Sequence, residues 1–330
     1  MKYKYIYSII IPHKNIPQLL ERCLASIPLR DDLEVIIVDD NSAPNIVDFE
    51  NFPGKNRSNT TVVFDKSGKG AGRARNVGLK YATGKWLLFA DADDFFTYCF
   101  RDVLDEYAVD NSDVVFFNAS SIDSEVYTNA NRVEHINRFI DNYLADCDKG
   151  EYELRYVHGS PWAKLIRSEL VSLNQISFQE TKIHNDTRFS YLIGYYAKAI
   201  KADRRAIYCV TYRNNSISYT LSEEKIIDRM KVFAEKYRFF LERRLPLTND
   251  DWWIDDLVHM RKVNNIHLYE ICIQLFVNQG IERNVIENKV IAKEQYQLAE
   301  EKRAKRNRRF IVISNLIKKL YHRIVSFISG

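Results

Sequence analysis

Gly84-Lys85-Trp86-Leu87-Leu88-Phe89-Ala90-Asp91-Ala92-Asp93-Asp94-Phe95-Phe96 is the stretch on which the reading of this chain turns. Trp86 to Ala90 is a short apolar run bounded by Gly84 and by three carboxylates, which predicts a buried strand tipped with acid. In an open α/β sheet the carboxyl ends of the strands form the rim where ligands bind. Alternate residues of an extended chain point the same way, so Asp91 and Asp93 can converge on one object. Clustered anions repel one another unless a cation joins them. Oxygen ligands with no nearby Cys or His suit a hard ion, Mg2+ or Mn2+, completed by water and phosphate oxygens. Alone, the same D-x-D-D also reads as a solvated acidic turn capping the next helix.

Upstream, Tyr3 to Ile11 reads as a strand closed by Pro12, followed by His13-Lys14-Asn15 and a helical pattern, Leu19, Leu20, Cys23, Leu24 and Ile27. Leu33 to Val38 is a second strand ending in Asp39-Asp40-Asn41-Ser42, and Thr60 to Phe64 a third. Gly68-Lys69-Gly70-Ala71-Gly72-Arg73-Ala74-Arg75-Asn76 then opens a helix running to about Ala82. Strands alternating with helices imply a largely parallel sheet with its loops gathered on one rim. Asp39 or Asp40, acceptors when ionised, suit a base N–H or a ribose hydroxyl; Asp40 also reads as a cap of the next turn. The glycines permit close backbone approach, and Arg73 and Arg75 offer forked donors for phosphate oxygens. A dinucleotide fingerprint would place such glycines after the first strand; here they follow the third, which counts against a dehydrogenase.

SIIIPHKN, VIIVDDNS and GKGAGRARNVGLKYATGKWLLFADADDFF, in this order and spacing, resemble the family 2 inverting glycosyltransferases of the GT-A fold. VIIVDD alone also resembles the acidic pocket of response-regulator receivers, but there the acid pair lies on the first strand. The glycosyltransferase resemblance implies a Rossmann-like, mixed but mostly parallel sheet flanked by helices, with a C-terminal helical extension. It implies a nucleotide-diphosphosugar donor, in most members a UDP-sugar, bound by Pro12, His13, Asn15, Asp40, Arg75, Asp91 and Ala92. Mn2+ or Mg2+ would sit at Asp93, with Asp94 a second candidate. Lys14 stands where the family often has a base-stacking residue. Further on, His158-Gly159-Ser160-Pro161-Trp162-Ala163-Lys164-Leu165 resembles the G-x-P-W-x-K-L element of these enzymes, which implies Trp162 and Lys164 on the acceptor side; Trp162 also reads as plain core. Asn185-Asp186 stands where members commonly read Glu-Asp, so Asp186 is the implied catalytic base, with His184 and Glu180 as substitutes; Asp186 also reads as a helix N-cap.

Phe100 to Ala108 is helical and Asp113 to Asn118 a strand, with further strands at Ala199 to Asp203 and Tyr208 to Arg213. Apolar spacings of three and four make helices of Ile226 to Leu241 and Leu257 to Val277, with Asp250-Asp251 and Trp252-Trp253 between them. The expected divisions are 1–110 for the nucleotide-sugar half, 111–220 for the acceptor half, 221–300 for a helical appendage and 301–330 for a basic amphipathic helix.

At 330 residues, 46% hydrophobic and 28% charged, the chain suits one large α/β domain with an appendage. No uninterrupted apolar run is long enough to span a bilayer and the start lacks a signal-peptide cleavage site, so the expected place of the body is the cytosol. Cys23, Cys99, Cys147, Cys209 and Cys272 are dispersed and lack a C-x-x-C pair, which argues for reduced thiols and against zinc. Residues 301–330 carry nine Lys or Arg and the single acid Glu301; since the whole chain is at +4, the body is net negative and is not a nucleic-acid binder. In the tail Phe310, Ile313, Ile317, Leu320, Ile324 and Phe327 form one helical stripe. A basic amphipathic helix of this kind suits an anionic membrane surface, or else docks on protein. With the family resemblance, it implies a lipid-linked saccharide acceptor at the cytoplasmic face of the inner membrane, as in bacterial O-antigen or capsule assembly. The reading from another class is a noncatalytic nucleotide-sugar or membrane-binding protein.

Overall fold

The computed structural model describes residues 3–212, 222–247 and 253–328, with side chains as far as Arg306. They fall into two compact units, Met1–Asp228 and Arg229–Gly330.

In the first unit, β1 (Tyr5–His13) and β2 (Leu33–Asp40) are parallel neighbours, and both are buried along most of their length, as continuous apolar runs require. On the flanks of β1 and β2 lie β4 (Gly84–Phe89), paired with β1, and β3 (Thr60–Asp65), paired with β2, again in parallel. The other half contains β6 (Val114–Asp123), β7 (Lys164–Arg167), β8 (Ile200–Tyr212) and the two-residue β5 (Phe95–Phe96). Together they make one eight-stranded sheet in the order β3-β2-β1-β4-β7-β6-β8-β5. β6 and β8 run parallel to each other; β7 is antiparallel to both its neighbours, and β5 is antiparallel to β8.

Alternation along the strands divides the core. Ile9, Ile11, Trp86 and Leu88 pack on one face with Leu20 and Cys23 of α1 (Pro17–Ala25) and Val103 and Leu104 of α3 (Phe100–Tyr107). Ile10, Leu87 and Phe89 pack on the other, with Ala74 of α2 (Ala71–Tyr81), Phe139 and Ile140 of α4 (Glu134–Ala145) and Phe189 of α7 (Thr187–Tyr196). Each Val, Leu, Ile or Phe among them contributes about 1.5–3 kcal/mol by leaving water.

Three features depart from the sequence reading. The strands read at 199–203 and 208–213 are a single strand, β8, whose register against β6 shifts between Phe117 and Ala119; Arg213 lies outside the described residues. β7 is too short to announce itself by periodicity, and its partners on both sides supply its hydrogen bonds. The stretch before it holds α4, α5 (Cys147–Tyr152) and a π-helical turn, Glu153–Val157. α4 buries Ile136, Phe139 and Ile140, a three-then-one spacing that a helix brings to one face.

α8 (Glu223–Glu242) contains the division between the units. In the second unit the run 257–277 is broken into α9 (Ile254–Lys262) and α10 (Ile266–Asn278) by Asn264, whose φ is 57°, and by Asn265, whose side chain caps α10 by accepting from Leu268 N–H. Trp253 is core, stacked on Phe276 at 4.7 Å; Asp250, Asp251 and Trp252 lie outside the described residues. α11 (Arg283–Ile328) runs through the basic tail. Among the described residues no helix is long and apolar enough to cross a membrane.

Gly72, on the first turn of α2, has no room for a side chain: a Cβ would stand 2.0 Å from the Gln179 carbonyl oxygen and 2.9 Å from Asn185 Cβ. Gly72→Ala is expected to lower the thermal midpoint, the overpacking cost of about 1–3 kcal/mol outweighing the better helix propensity of Ala. A melt followed by circular dichroism checks this, and a midpoint unchanged or raised would mean that the 179–185 segment yields freely.

Candidate active site

The loops after β1 and β2 are locked together from below. His13, buried, stands 2.8 Å from Asp39 through Nδ1, while its Nε2 accepts from Ile16 N–H; the tautomer that satisfies both bonds donates to Asp39. Asp39 also accepts from Ser42 N–H and the Ser42 hydroxyl. Burial raises its pKa, but the bonds from His13 and Ser42 prevail and hold it below the usual carboxylate range. Asn15, at φ 58°, donates through its N–H to the Ser42 hydroxyl oxygen and accepts from Ala43 N–H. Pro12 and His13 thus support the rim from within, and Asn15 ties its two loops. Asp40, almost fully buried, accepts from Lys14 Nζ at 3.0 Å and from Gly70 N–H at 3.0–3.1 Å, which fastens it to the start of α2. Of the three glycines, Gly70 is open to close approach, whereas Gly72 is used up in packing α2 against the 179–185 segment.

The acid tip after β4 is a turn and not an extended chain: Asp94 N–H donates to the Asp91 carbonyl at 3.0 Å. Asp91 and Asp93 remain partly exposed, and Ala92 is buried in the core. Asp94 is turned inward. Its Oδ1 accepts from Thr211 N–H at 2.7 Å and its Oδ2 from the Tyr208 hydroxyl at 3.0 Å. The carboxylate that the motif offers as a second metal ligand is therefore spent inside the fold. Burial, then the charges of Asp93 and Asp91, push the Asp94 pKa well above the usual range, which locates all three acids in one field. The Asp93 carbonyl is held from two sides, by Arg22 Nη2 at 2.5 Å and by the Thr211 hydroxyl at 2.6 Å.

Arg75 joins this turn to the start of α7. Its Nη2 lies 2.5 Å from Asp91 Oδ1 and its Nη1 donates to Asn185 Oδ1 at 2.8 Å, with the guanidinium over the Phe178 ring at 5.4 Å. Arg75 is only 5% exposed, and its Nε has no hydrogen-bond partner in the structure. Asp186 follows at the N-cap of α7, yet its side chain makes no capping bond, so the helix does not consume it. Burial raises its pKa, partly offset by Arg75. His184 stands on the same turn at φ 55°, and Glu180 pairs with Arg73 and Lys69 at 3.5 and 3.9 Å.

Trp162, which the resemblance assigns to the acceptor side, is half-buried and stacks on Tyr208, with ring centroids 5.4 Å apart. Lys164 does not line this surface. It is 1% exposed, donates to the His158 carbonyl at 2.8 Å and lies over the Phe116 ring; burial pushes its pKa down to about 7, with Asp186 pulling the other way. The physical reason is the pleat: Lys164 opens β7 directly opposite Phe116, so its side chain shares the buried face that Phe116 occupies.

The structure therefore brings together Arg75, Asp91, Asn185 and Asp186, with Asp93 on the same turn as Asp91. It sets Pro12, His13, Ala92, Asp94 and Lys164 behind the surface. Tyr208, Thr211 and Arg22 hold the acid turn, and the sequence offered no motif for them; Arg22, a polar residue beside the buried stripe of α1, was the only signal. No group of three or more His, Cys, Asp or Glu among the described residues could hold a metal by itself.

Residues 8–163 match the family described as glycosyl transferase family 2. EpsH of Bacillus subtilis is 24% identical over 214 residues, 61% of this chain and 59% of its own length. A PGL/p-HBAD biosynthesis glycosyltransferase of Mycobacterium tuberculosis is 36% identical over 91 residues, 27% of this chain and 36% of its own. The chain thus spans less than two thirds of either relative. Among solved structures, S. aureus TarS 1-349 in complex with UDP-GlcNAc superposes with a TM-score of 0.50 over 83% of this chain and 92% of that one; at 20% identity the likeness bears on the fold. That fold is a mixed, mostly parallel sheet flanked by helices, as the GT-A resemblance implied. Residues 8–163 thus resemble glycosyl transferase family 2, and the chain shares the GT-A fold.

Proposed function

We propose that the protein is an inverting glycosyltransferase that moves a hexose from a UDP-sugar to a polyprenyl-diphosphate-linked saccharide, in the assembly of a bacterial surface polysaccharide. The observation that carries this reading is the convergence of Arg75, Asp91 and the Asn185-Asp186 pair at the carboxyl rim of the sheet. The UDP-GlcNAc bound to TarS favours the choice of base and leaving group.

In this reading Asp186 accepts the proton of an acceptor hydroxyl as its oxygen attacks the anomeric carbon from the side opposite the diphosphate. A glycosidic C–O bond forms, the bond from the anomeric carbon to the phosphate oxygen breaks, and UDP leaves with the electron pair. Arg75 holds Asp91 toward the donor, and its cationic fork favours the negative diphosphate. Asp93 and Asp91 form an oxygen-only donor set that fits Mg2+ or Mn2+ with phosphate oxygens and water completing the shell. Such an ion supplies neutralising charge for the leaving diphosphate. Trp162 offers an aromatic face to the acceptor.

The membrane part of the proposal rests on the tail. Lys302, Arg303, Lys305 and Arg306 are exposed on α11, and each basic residue near an anionic surface is worth about 1 kcal/mol. The apolar stripe from Phe310 to Phe327 lies beyond the described side chains and is read from sequence alone. On this reading the enzyme is peripheral at the cytoplasmic face of the inner membrane.

Two outcomes are expected. A screen of UDP-sugars with Mn2+ should reveal transfer that Asp186→Asn lowers by about 10²–10⁴-fold while UDP binding persists. Because burial raises the Asp186 pKa and the base works unprotonated, kcat/KM should fall on acidification from a pH above that of an exposed aspartate. Full activity of Asp186→Asn would remove Asp186 from this role. Separately, truncation after Glu300 should abolish co-sedimentation with anionic liposomes at low salt; sedimentation that persists would dismiss the tail as the anchor.

A further inference from the structure

The acid turn does not rest on the strand that leads into it. Tyr208 lies beneath it with no exposed surface, and its hydroxyl accepts from Asp91 N–H at 2.8 Å. The hydroxyl proton is then free to go to Asp94 Oδ2, 3.0 Å away, so one oxygen links the first and last residues of the turn. Three residues further along the same strand, Thr211 donates its N–H to Asp94 Oδ1 at 2.7 Å and its hydroxyl to the Asp93 carbonyl at 2.6 Å. The turn is also drawn to this strand by pairing of Phe95 with Cys209 and Phe96 with Tyr208. The Tyr208 ring has little freedom: Phe96 meets it edge-on at 5.4 Å and Trp162 stacks on it at 5.4 Å with an interplanar angle of 15°.

We infer that β8 is the positioning element of the donor site: Tyr208 and Thr211 hold the Asp91–Asp94 turn in the one conformation that presents Asp91 and Asp93 to a nucleotide diphosphate. The inference rests on the donor-site reading above and adds to it residues that touch neither donor nor acceptor. Tyr208 acts on the backbone of Asp91, whose carboxylate is the partner of Arg75, so a shift of the turn moves the acid and the guanidinium together. Through the Trp162 stack the same ring also feels the acceptor loop.

Tyr208→Phe isolates the hydroxyl, since it keeps the ring and both aromatic contacts. Titration calorimetry of the full chain with UDP in the presence of MnCl2 reads the result, with a thermal melt reporting the folded fraction. A buried N–H and a buried carboxylate each lose a partner, and the expected outcome is a Kd weakened by about tenfold or more at unchanged stoichiometry. Were Tyr208 merely structural, the variant would lose stoichiometry while its folded molecules kept the wild-type Kd; that result, or an unchanged Kd, overturns the inference. If Tyr208→Phe does not fold, Thr211→Val removes only the hydroxyl bond to Asp93, and the same weakening or its absence decides. Failure of the wild type to bind UDP overturns the donor-site reading itself, and is distinguished from the other outcomes by appearing before any substitution.

Discussion

A guanidinium removed from water must keep its partners, and Arg75 has carboxylate and amide partners on segments far apart in sequence. One is Asp91, on the turn that ends β4; the other is Asn185, at the threshold of α7. Losing Asp91 would leave the buried guanidinium short of its charged partner, a cost that solvent at the 34% exposed carboxylate reduces in part. The bond therefore does more than stabilise. It fixes the distance between the acid turn after β4 and the Asn185-Asp186 threshold of α7, and it does so with a rigid planar fork that a lysine could not reproduce. The close approach of α2 to Gln179, which the bare backbone at Gly72 allows, is the packing condition for this reach.

Around that fork the acids are sorted by a single turn. Asp91 and Asp93 keep access to the rim, and Asp94 is folded under to receive two hydrogen bonds from β8. Burial raises the Asp94 pKa, and the nearby charges of Asp93 and Asp91 push it further the same way.

Much of the nucleotide half was legible because its signals are local. Continuous apolar runs ending in Asp39-Asp40 and in Asp91-Ala92-Asp93-Asp94 announced buried strands with chemistry at their ends, and both lie at the rim. What periodicity cannot say is which carboxylate of a cluster faces out: Asp94 and Ala92 were placed at the site by motif and lie inside by turn geometry. Lys164 was misplaced for a related reason. A charged residue beside Trp162 reads as surface, but it begins a strand whose first side chain is buried against Phe116. Asn185 read as a departure from Glu, and the structure gives it work that a carbonyl oxygen performs, accepting from Arg75. Tyr208 and Thr211 left no trace in the sequence, since their importance comes from contacts more than a hundred residues away.

β7 runs against its neighbours, and this reversal has an evolutionary side. In a sheet of uniform polarity, the ligand edge is reached only by segments that follow a strand. Because β7 is inverted between β4 and β6, the segment that precedes it, from His158 to Ala163, opens onto the same edge as the acids. Insertions or deletions upstream of that segment can thus remodel one part of the edge while leaving the loops after β1, β2 and β4 untouched, so that related chains are free to diverge there without disturbing the acid turn.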